Sequence, residues 1–258
     1  MIRMKKVFSL LLATLMCLAL FAGCTGGEKP AAKDKLVMAT NAEFPPYEFM
    51  DGSKIVGIDA EIMQAIAEDL GMELVIENME FESVLAAVSS GKADIGAAGL
   101  TIRPDRLESV DFTDTYAKAK QVVIVRDDGQ INSLDDIELG MKIGVQAGTT
   151  GWIYASDTPE NGGYGEENVE SYSKGFEAVQ ALSQGKVSAV IIDNEPAKVF
   201  VSQQSGLKIL DDAFADEEYA IAVRKGNTEL LDKVNASLRK LKENGKFQEI
   251  VDKYITAE

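Results

Sequence analysis

Three polar constellations in this 258-residue chain combine residue types suited to gripping a small charged molecule. The first is Gly99-Leu-Thr101-Ile-Arg-Pro104-Asp-Arg106, where Thr101 precedes a turn of helix begun at Pro104 and so sets loose backbone N–H groups beside a guanidinium. A carboxylate is attracted to a helix start and held by arginine in two parallel bonds. A lone arginine is more often a solvated surface charge, and both readings of Arg106 stand at this point. The second is Gln146-Ala-Gly148-Thr149-Thr150, between a predicted strand at 142–145 and a predicted helix from Gly151. Such a turn either accepts an anion or simply caps the helix, and it lacks the lysine of a nucleotide loop. The third is Asp193, directly after the apolar run 187–192, where a buried parallel strand ends and open α/β sheets bind ligands. It reads equally as a cap for a helix near Pro196 or as a partner for an ammonium group.

A free amino acid carries both a carboxylate and an ammonium group, so a site for one needs a fork of donors and a buried acid. A fourth group bears on the side chain: Glu43 beside Phe44, with Phe81, makes an aromatic slot ended by a carboxylate. That slot suits arginine or lysine through cation–π contact and ion pairing. The plainer alternative is a solvated Glu43 with two packing aromatics.

The elements that must position these residues alternate in type. A strand is predicted at 36–40, and an amphipathic helix at 57–71 has Ile58, Ile62, Met63, Ile66 and Leu70 at helical spacing and Gly71 as its stop. A strand at 73–76, a helix at 81–90 closed by Gly91 and a strand at 93–97 follow. Alternating strand and helix with short links means α/β layers with mainly parallel sheets. The unit returns: Phe81-Glu-Ser-Val running to Gly91-Lys92 is matched by Phe176-Glu-Ala-Val running to Gly185-Lys186, each followed by a buried strand. Two lobes of similar build are therefore expected, with strands at 120–125 and 218–223 as candidates for passing between them. The tail is predicted helical from an Asn227 or Thr228 cap, broken at Gly245, and packed back on the first lobe.

Several classes of function are excluded by composition. The chain has no histidine, which removes Ser-His-Asp triads and the commonest metal ligand. Cys17 and Cys24 are its two cysteines. Both fall in a leader-like stretch: a basic head through Lys6, an uncharged apolar run from Val7 to Ala22, then Gly23-Cys24. That order is the pattern of a secretory signal peptide over residues 1–23, and the run is shorter than the roughly 20 residues a spanning helix needs. Residues 25–34 are small and polar and read as a flexible tether. The body that follows then has no thiol, so no disulfide, zinc-thiolate site, metal or cofactor is expected. Residues 1–23 carry three basic and no acidic residues of a chain with net charge −16, so the remainder stands at −19. Such a surface repels nucleic acid.

These residues together resemble the polar amino-acid family of bacterial solute-binding proteins, the extracellular receptors of ABC importers. The resemblance runs through Ala39-Thr-Asn-Ala-Glu-Phe-Pro-Pro-Tyr-Glu48, Val56-Gly-Ile-Asp59, Gly99 to Arg106, Val110-Asp-Phe-Thr113, Gly144 to Thr150 and Asp193. It implies a two-lobed periplasmic-binding-protein-like fold, with lobe 1 at 35–117 plus 220–258, lobe 2 at 118–219 and a two-strand hinge. It implies binding, not catalysis, of a free L-amino acid, arginine or lysine first, with glutamine or cystine as alternatives, and delivery to permease subunits in the membrane. Carried over by position, Arg106 becomes the carboxylate clamp, helped by Thr101 and the region of Thr150, and Gln146 and Thr149 join the ligand-binding set. Asp193 takes the ammonium group with the Gly99 carbonyl, and Phe44 and Phe81 wall the side chain. Asn41 stands where many relatives have aspartate. Phe21-Ala22-Gly23-Cys24 resembles a lipobox, which implies a monomeric lipoprotein anchored through Cys24 on the outer face of the cell membrane or in the periplasm. A dehydratase on this fold would need Glu43 or Glu195 as general acid, and the Arg106–Asp193 pairing favours the receptor.

Overall fold

The computed structural model describes residues 34–255; the leader-like segment and Cys24 lie outside them. In chain order the strands are β1 (Lys35–Thr40), β2 (Glu43–Phe44), β3 (Glu48–Asp51), β4 (Lys54–Val56), β5 (Glu73–Asn78), β6 (Ile95–Gly96), β7 (Val110–Phe112), β8 (Ala117–Arg126), β9 (Ile143–Gln146), β10 (Val169–Tyr172), β11 (Ala189–Asp193), β12 (Leu207–Ile209), β13 (Ala215–Tyr219) and β14 (Ala222–Arg224). The helices are α1 (Ile58–Asp69), α2 (Phe81–Ser89), α3 (Pro104–Ser109), α4 (Thr150–Ser156), α5 (Gly175–Ser183), α6 (Asn194–Gln203), α7 (Thr228–Glu243) and α8 (Lys246–Tyr254).

Two mixed sheets define two lobes. The first has order β5-β1-β6-β14-β7, parallel across β5, β1 and β6 and antiparallel where β14 inserts. The second has order β10-β9-β11-β8-β12, parallel across β10, β9 and β11 and antiparallel at β8. The expected parallel cores are present, and each sheet is extended by antiparallel strands from another part of the chain. β8 is long enough to hold two partners along one edge, β12 beside its C-terminal end and β13 beside residues 117–121. A small antiparallel sheet, β2-β3-β4, completes the strand pairing.

Neither of the two strands proposed as lobe-to-lobe passages crosses as a whole. β8 lies entirely in the second sheet, and 218–223 is cut into β13 in the second sheet and β14 in the first. The crossings are the short joints at 113–116 and 220–221. They are tied to each other: Thr113 N–H donates to the Ile221 carbonyl at 3.0 Å, and Tyr116 N–H to the Tyr219 carbonyl at 2.8 Å.

Helix α1 forms where the sequence placed it, and Ile58, Ile62, Met63 and Ile66 are buried against the first sheet. Each such side chain removes apolar surface worth about 2 kcal/mol from water. Its start is fixed by Gly57 at φ 121°, where a Cβ would lie 2.3 Å from the Tyr47 carbonyl oxygen. Asn227 caps α7 by accepting from Leu230 N–H, and α7 and α8 pack on α1 as expected for the tail. The strand predicted at 93–97 shrinks to β6, because the chain turns away at Ala97 to reach Gly99.

Candidate functional site

A crevice between the two lobes is lined by Asn41, Phe44, Phe81, Ala98, Gly99, Thr101 and Arg106 from the first lobe and by Gln146, Thr149, Thr150 and Asp193 from the second. All the sequence-derived site residues are thus brought together except Glu43, and Ala98 is added. The free space is about 10 Å³, the room of roughly one water molecule. An amino acid enters only when the lobes part.

Arg106 is 5% exposed, so it is not a solvated surface charge. The turn begun at Pro104 aims its guanidinium back toward the loop: Nη1 donates to the Thr101 carbonyl at 2.9 Å, and Nη2 reaches across the lobes to the Gly148 carbonyl at 3.3 Å. The group lies over the Phe81 ring, 5.6 Å from its centre, so the ring also orients the guanidinium. Burial, then the nearby Arg103 charge, lowers its pKa to about 10, which leaves it cationic at neutral pH.

Asp193 ends β11 and precedes α6, yet its side chain makes no capping bond. Of the two readings open in the sequence, the cap is therefore absent. The carboxyl accepts from Tyr219 Oη and is 6% exposed. Burial first, and the Glu217 charge second, raise its pKa to about 7.

Gly99 has φ 56°, and a Cβ there would come within 3.0 Å of the Phe44 ring. Only glycine lets the chain approach the ligand space at this point. Its N–H donates to Asp59 Oδ2 at 3.0 Å, so the carbonyl is the group it has to offer. Asp59 also accepts from Tyr116 Oη at 2.7 Å, and Glu48 is wholly buried beside it. Burial raises the Asp59 carboxyl to about 6 and Glu48 well above the usual carboxylate range.

In the second lobe Thr149 caps α4, accepting from Trp152 N–H at 3.2 Å, which brings Thr150 to the first turn with its buried face on the crevice. Thr150 Oγ1 accepts from Gln121 Nε2 at 3.2 Å. Gln146 Nε2 donates to Asn41 Oδ1 at 3.0 Å, which joins the lobes across the crevice. Glu43 lies outside the lining and pairs with Lys174 of the other lobe at 2.7 Å. The carboxylate that was to end the aromatic slot is therefore neutralised by a neighbour that the sequence did not reveal.

Beneath the lining sits Glu217, 5% exposed, which accepts from Thr101 Oγ1 at 3.0 Å and Gln121 Nε2 at 3.1 Å. The sequence offers three consecutive acids here, 216–218, and the missed signal was the strand alternation that buries Glu217 and Tyr219 on one face of β13. No cluster of His, Cys, Asp or Glu able to hold a metal occurs among the described residues.

A two-lobed α/β body with a buried arginine and a buried aspartate lining one crevice from opposite lobes has the build of a receptor for a small ligand. Residues 36–257 match the family model of bacterial extracellular solute-binding proteins, family 3, and the chain belongs to that family. The arginine-binding extracellular protein ArtP of Bacillus subtilis is 32% identical over 99% of this chain and 100% of its own length. A probable histidine-binding protein of Neisseria gonorrhoeae is 34% identical over 95% of each. Among solved structures, an ancestral arginine-binding protein bound to arginine superposes with TM-score 0.80 and 38% identity over 86% of this chain and 99% of that one. The arginine-, lysine-, histidine-binding protein ArtJ of Geobacillus stearothermophilus also reaches 0.80, at 32% identity over 87% of this chain and 96% of that one. The chain is thus the substrate-binding component of an amino-acid ABC importer.

Proposed function

We propose that the crevice closes on a free L-amino acid with a cationic side chain, arginine before lysine, and presents the closed form to its permease. The observation that carries the reading is the burial of Arg106 and Asp193 in one crevice, each contributed by a different lobe. The carboxylate is held by Arg106 and by the N–H groups at the start of α4. The ammonium group is held by Asp193 and the Gly99 carbonyl, and the side chain lies between Phe44 and Phe81.

Closure matters energetically. An ion pair in water contributes roughly 0–1 kcal/mol, whereas micromolar binding needs about 8 kcal/mol. Several charged bonds must therefore be shielded together, and burying both ends of the zwitterion between two lobes does that. The moving bodies in this reading are 35–117 plus 220–258 and 118–219. No step needs a general acid, so the protein binds without transforming its ligand.

The relatives named for arginine support the cationic ligand, as does a net charge of −16 that draws cations toward the surface. A second reading is favoured by one observation: the side-chain end is lined by the amides of Asn41 and Gln146, with Glu43 already paired, which suits glutamine. Consistent with that, an ancestral arginine-binding protein has been solved with glutamine bound. Calorimetric titration of unfolded-and-refolded protein with an amino-acid panel decides between them: arginine binds first, and glutamine in first place would overturn the cationic ligand. Arg106→Ala is expected to lose about 2–5 kcal/mol of affinity, the cost of orphaning one partner of a buried charge pair. Unchanged affinity would remove Arg106 from the clamp.

The leader-like stretch and Ala22-Gly23-Cys24 support export, cleavage before Cys24 and lipid attachment to it, with one monomer tethered outside the membrane. No helix among the described residues is long and apolar enough to cross a membrane. Cys24→Ser is expected to release the protein into the medium.

A further inference from the structure

Glu217 lies outside the crevice lining, yet it touches both lobes' share of the site. It accepts from Thr101 Oγ1 of the first lobe and from Gln121 Nε2 of β8, and Gln121 in turn donates to Thr150 Oγ1. Glu217 and Tyr219 lie on the same buried face of β13, Tyr219 donates to Asp193, and the Gln121 that donates to Glu217 is the register partner of Asp193, so the two acids are buried neighbours. Both are buried, at 5% and 6% exposure. Neighbouring carboxylates out of water repel each other, and a proton on one of them relieves the repulsion.

We propose that Glu217 makes ligand capture proton-linked: Asp193 holds a proton against Glu217 until the ligand's ammonium group enters and expels that proton to solvent. The balance is simple. The O–H bond of the Asp193 carboxyl breaks, the proton passes to buffer, and the ammonium group keeps its three protons because the Asp193 carboxylate now faces it, with the Glu217 charge behind. This deepens the assignment of Asp193 as ammonium partner and rests on it.

The surroundings of Asp193 are consistent with a group that titrates. Tyr219 of β13 donates to it, Gln121 of β8 is paired with it across the sheet, and Arg106 of α3 is the nearby cation. Tyr47, Glu48 and Tyr154 also sense its charge, and Glu195 stands on the following helix turn. Burial first and the Glu217 charge second favour the protonated form of Asp193, against Arg106 and against Arg103, Lys118 and Lys120, which line the cleft on the other side of Glu217. With Asp193 raised to about 7, arginine binding at pH 6.5 should release about 0.8 proton, and affinity should fall about tenfold from pH 8 to pH 6.

The test is calorimetry of the wild-type protein at pH 6.5 in phosphate and in Bis-Tris, whose ionisation enthalpies differ, with arginine and then glutamine as probes. The difference in observed heat gives the protons released. Release of half a proton or more supports the linkage, and Glu217→Gln should reduce it measurably and move the pH dependence of affinity to lower pH, the part due to burial remaining. Binding with no proton released in the wild type overturns the linkage while leaving the proposed function standing, and needs no variant to fold. A protein that binds neither probe overturns both. Full release retained in a folded Glu217→Gln protein assigns the proton to another pair and overturns the role of Glu217.

Discussion

The two helix–glycine–strand units of this chain begin alike and end differently. Counted from Gly91 of the first and Gly185 of the second, the eighth following residue is Gly99 in one lobe and Asp193 in the other. Each stands where its strand reaches the crevice, and both are assigned to the same ammonium group. The first lobe offers a backbone carbonyl, made accessible by a residue with no side chain. The second offers a carboxyl on a strand that is buried throughout. The opening phenylalanines diverge as well: Phe81 lies under the Arg106 guanidinium, whereas Phe176 packs against Phe200, ring centres 5.9 Å apart. A shared local pattern specifies where the chain arrives, and the facing residues decide what it does there.

That comparison is broken most directly at Asp193. Asp193→Ala is expected to cost about 2–5 kcal/mol of ligand affinity, since it leaves an ammonium group buried without its partner. Retention of affinity by isothermal titration would make the two arrival points equivalent. A comparably large effect lies in the support of Gly99. Asp59, raised to about 6, holds a proton more tightly when folded than when unfolded, so stability is greatest below about pH 4 on its account and is lost as pH rises through about 6. Asp193 acts in the same direction up to about 7. The ligand-free protein should therefore melt at higher temperature at pH 5 than at pH 7.5, with a free-energy difference on the order of 3 kcal/mol. A melting temperature that rises with pH over this range would contradict the burial of these acids.

Gly99→Ala is next, at about 1–3 kcal/mol in stability, because φ 56° and the 3.0 Å approach to Phe44 both oppose a side chain. The same variant should weaken ligand binding, whereas a purely structural glycine would leave it intact in the folded fraction. The smallest expected difference is between the two turn glycines. Gly91 and Gly185 both have positive φ, 76° and 71°, but a Cβ at Gly91 would lie 2.9 Å from Arg224 Nη1, while at Gly185 its nearest neighbour is Arg126 at 4.0 Å. Alanine at either should cost about 1 kcal/mol, with slightly more at Gly91, as read by denaturant unfolding.

Local patterns made much of this legible in the sequence. Apolar spacing marked α1, a proline and an arginine marked α3, and an acid after an apolar run marked Asp193, because each signal sits within a few residues. Three kinds of information were not local. Glu43 looked available because its partner, Lys174, lies 131 positions away. The two crossings between lobes are joints of a few residues, too short to have a period, so whole strands were proposed in their place. Glu217 was hidden among neighbouring acids, and only its strand face and its distant contacts with Thr101 and Gln121 separate it from them.

The position of β14 has a consequence for biogenesis. It lies between β6 and β7 and hydrogen-bonds to both, so the first sheet has a gap until residue 224 is in place. A chain emerging vectorially from its N-terminus holds Ile95–Gly96 and Val110–Phe112 as unpaired strand edges while more than a hundred further residues are delivered. The second lobe, continuous in sequence, has all its strands by Tyr219 and is free to assemble first. Premature termination between Tyr219 and Ala222 would therefore yield one finished half attached to a sticky, incomplete one.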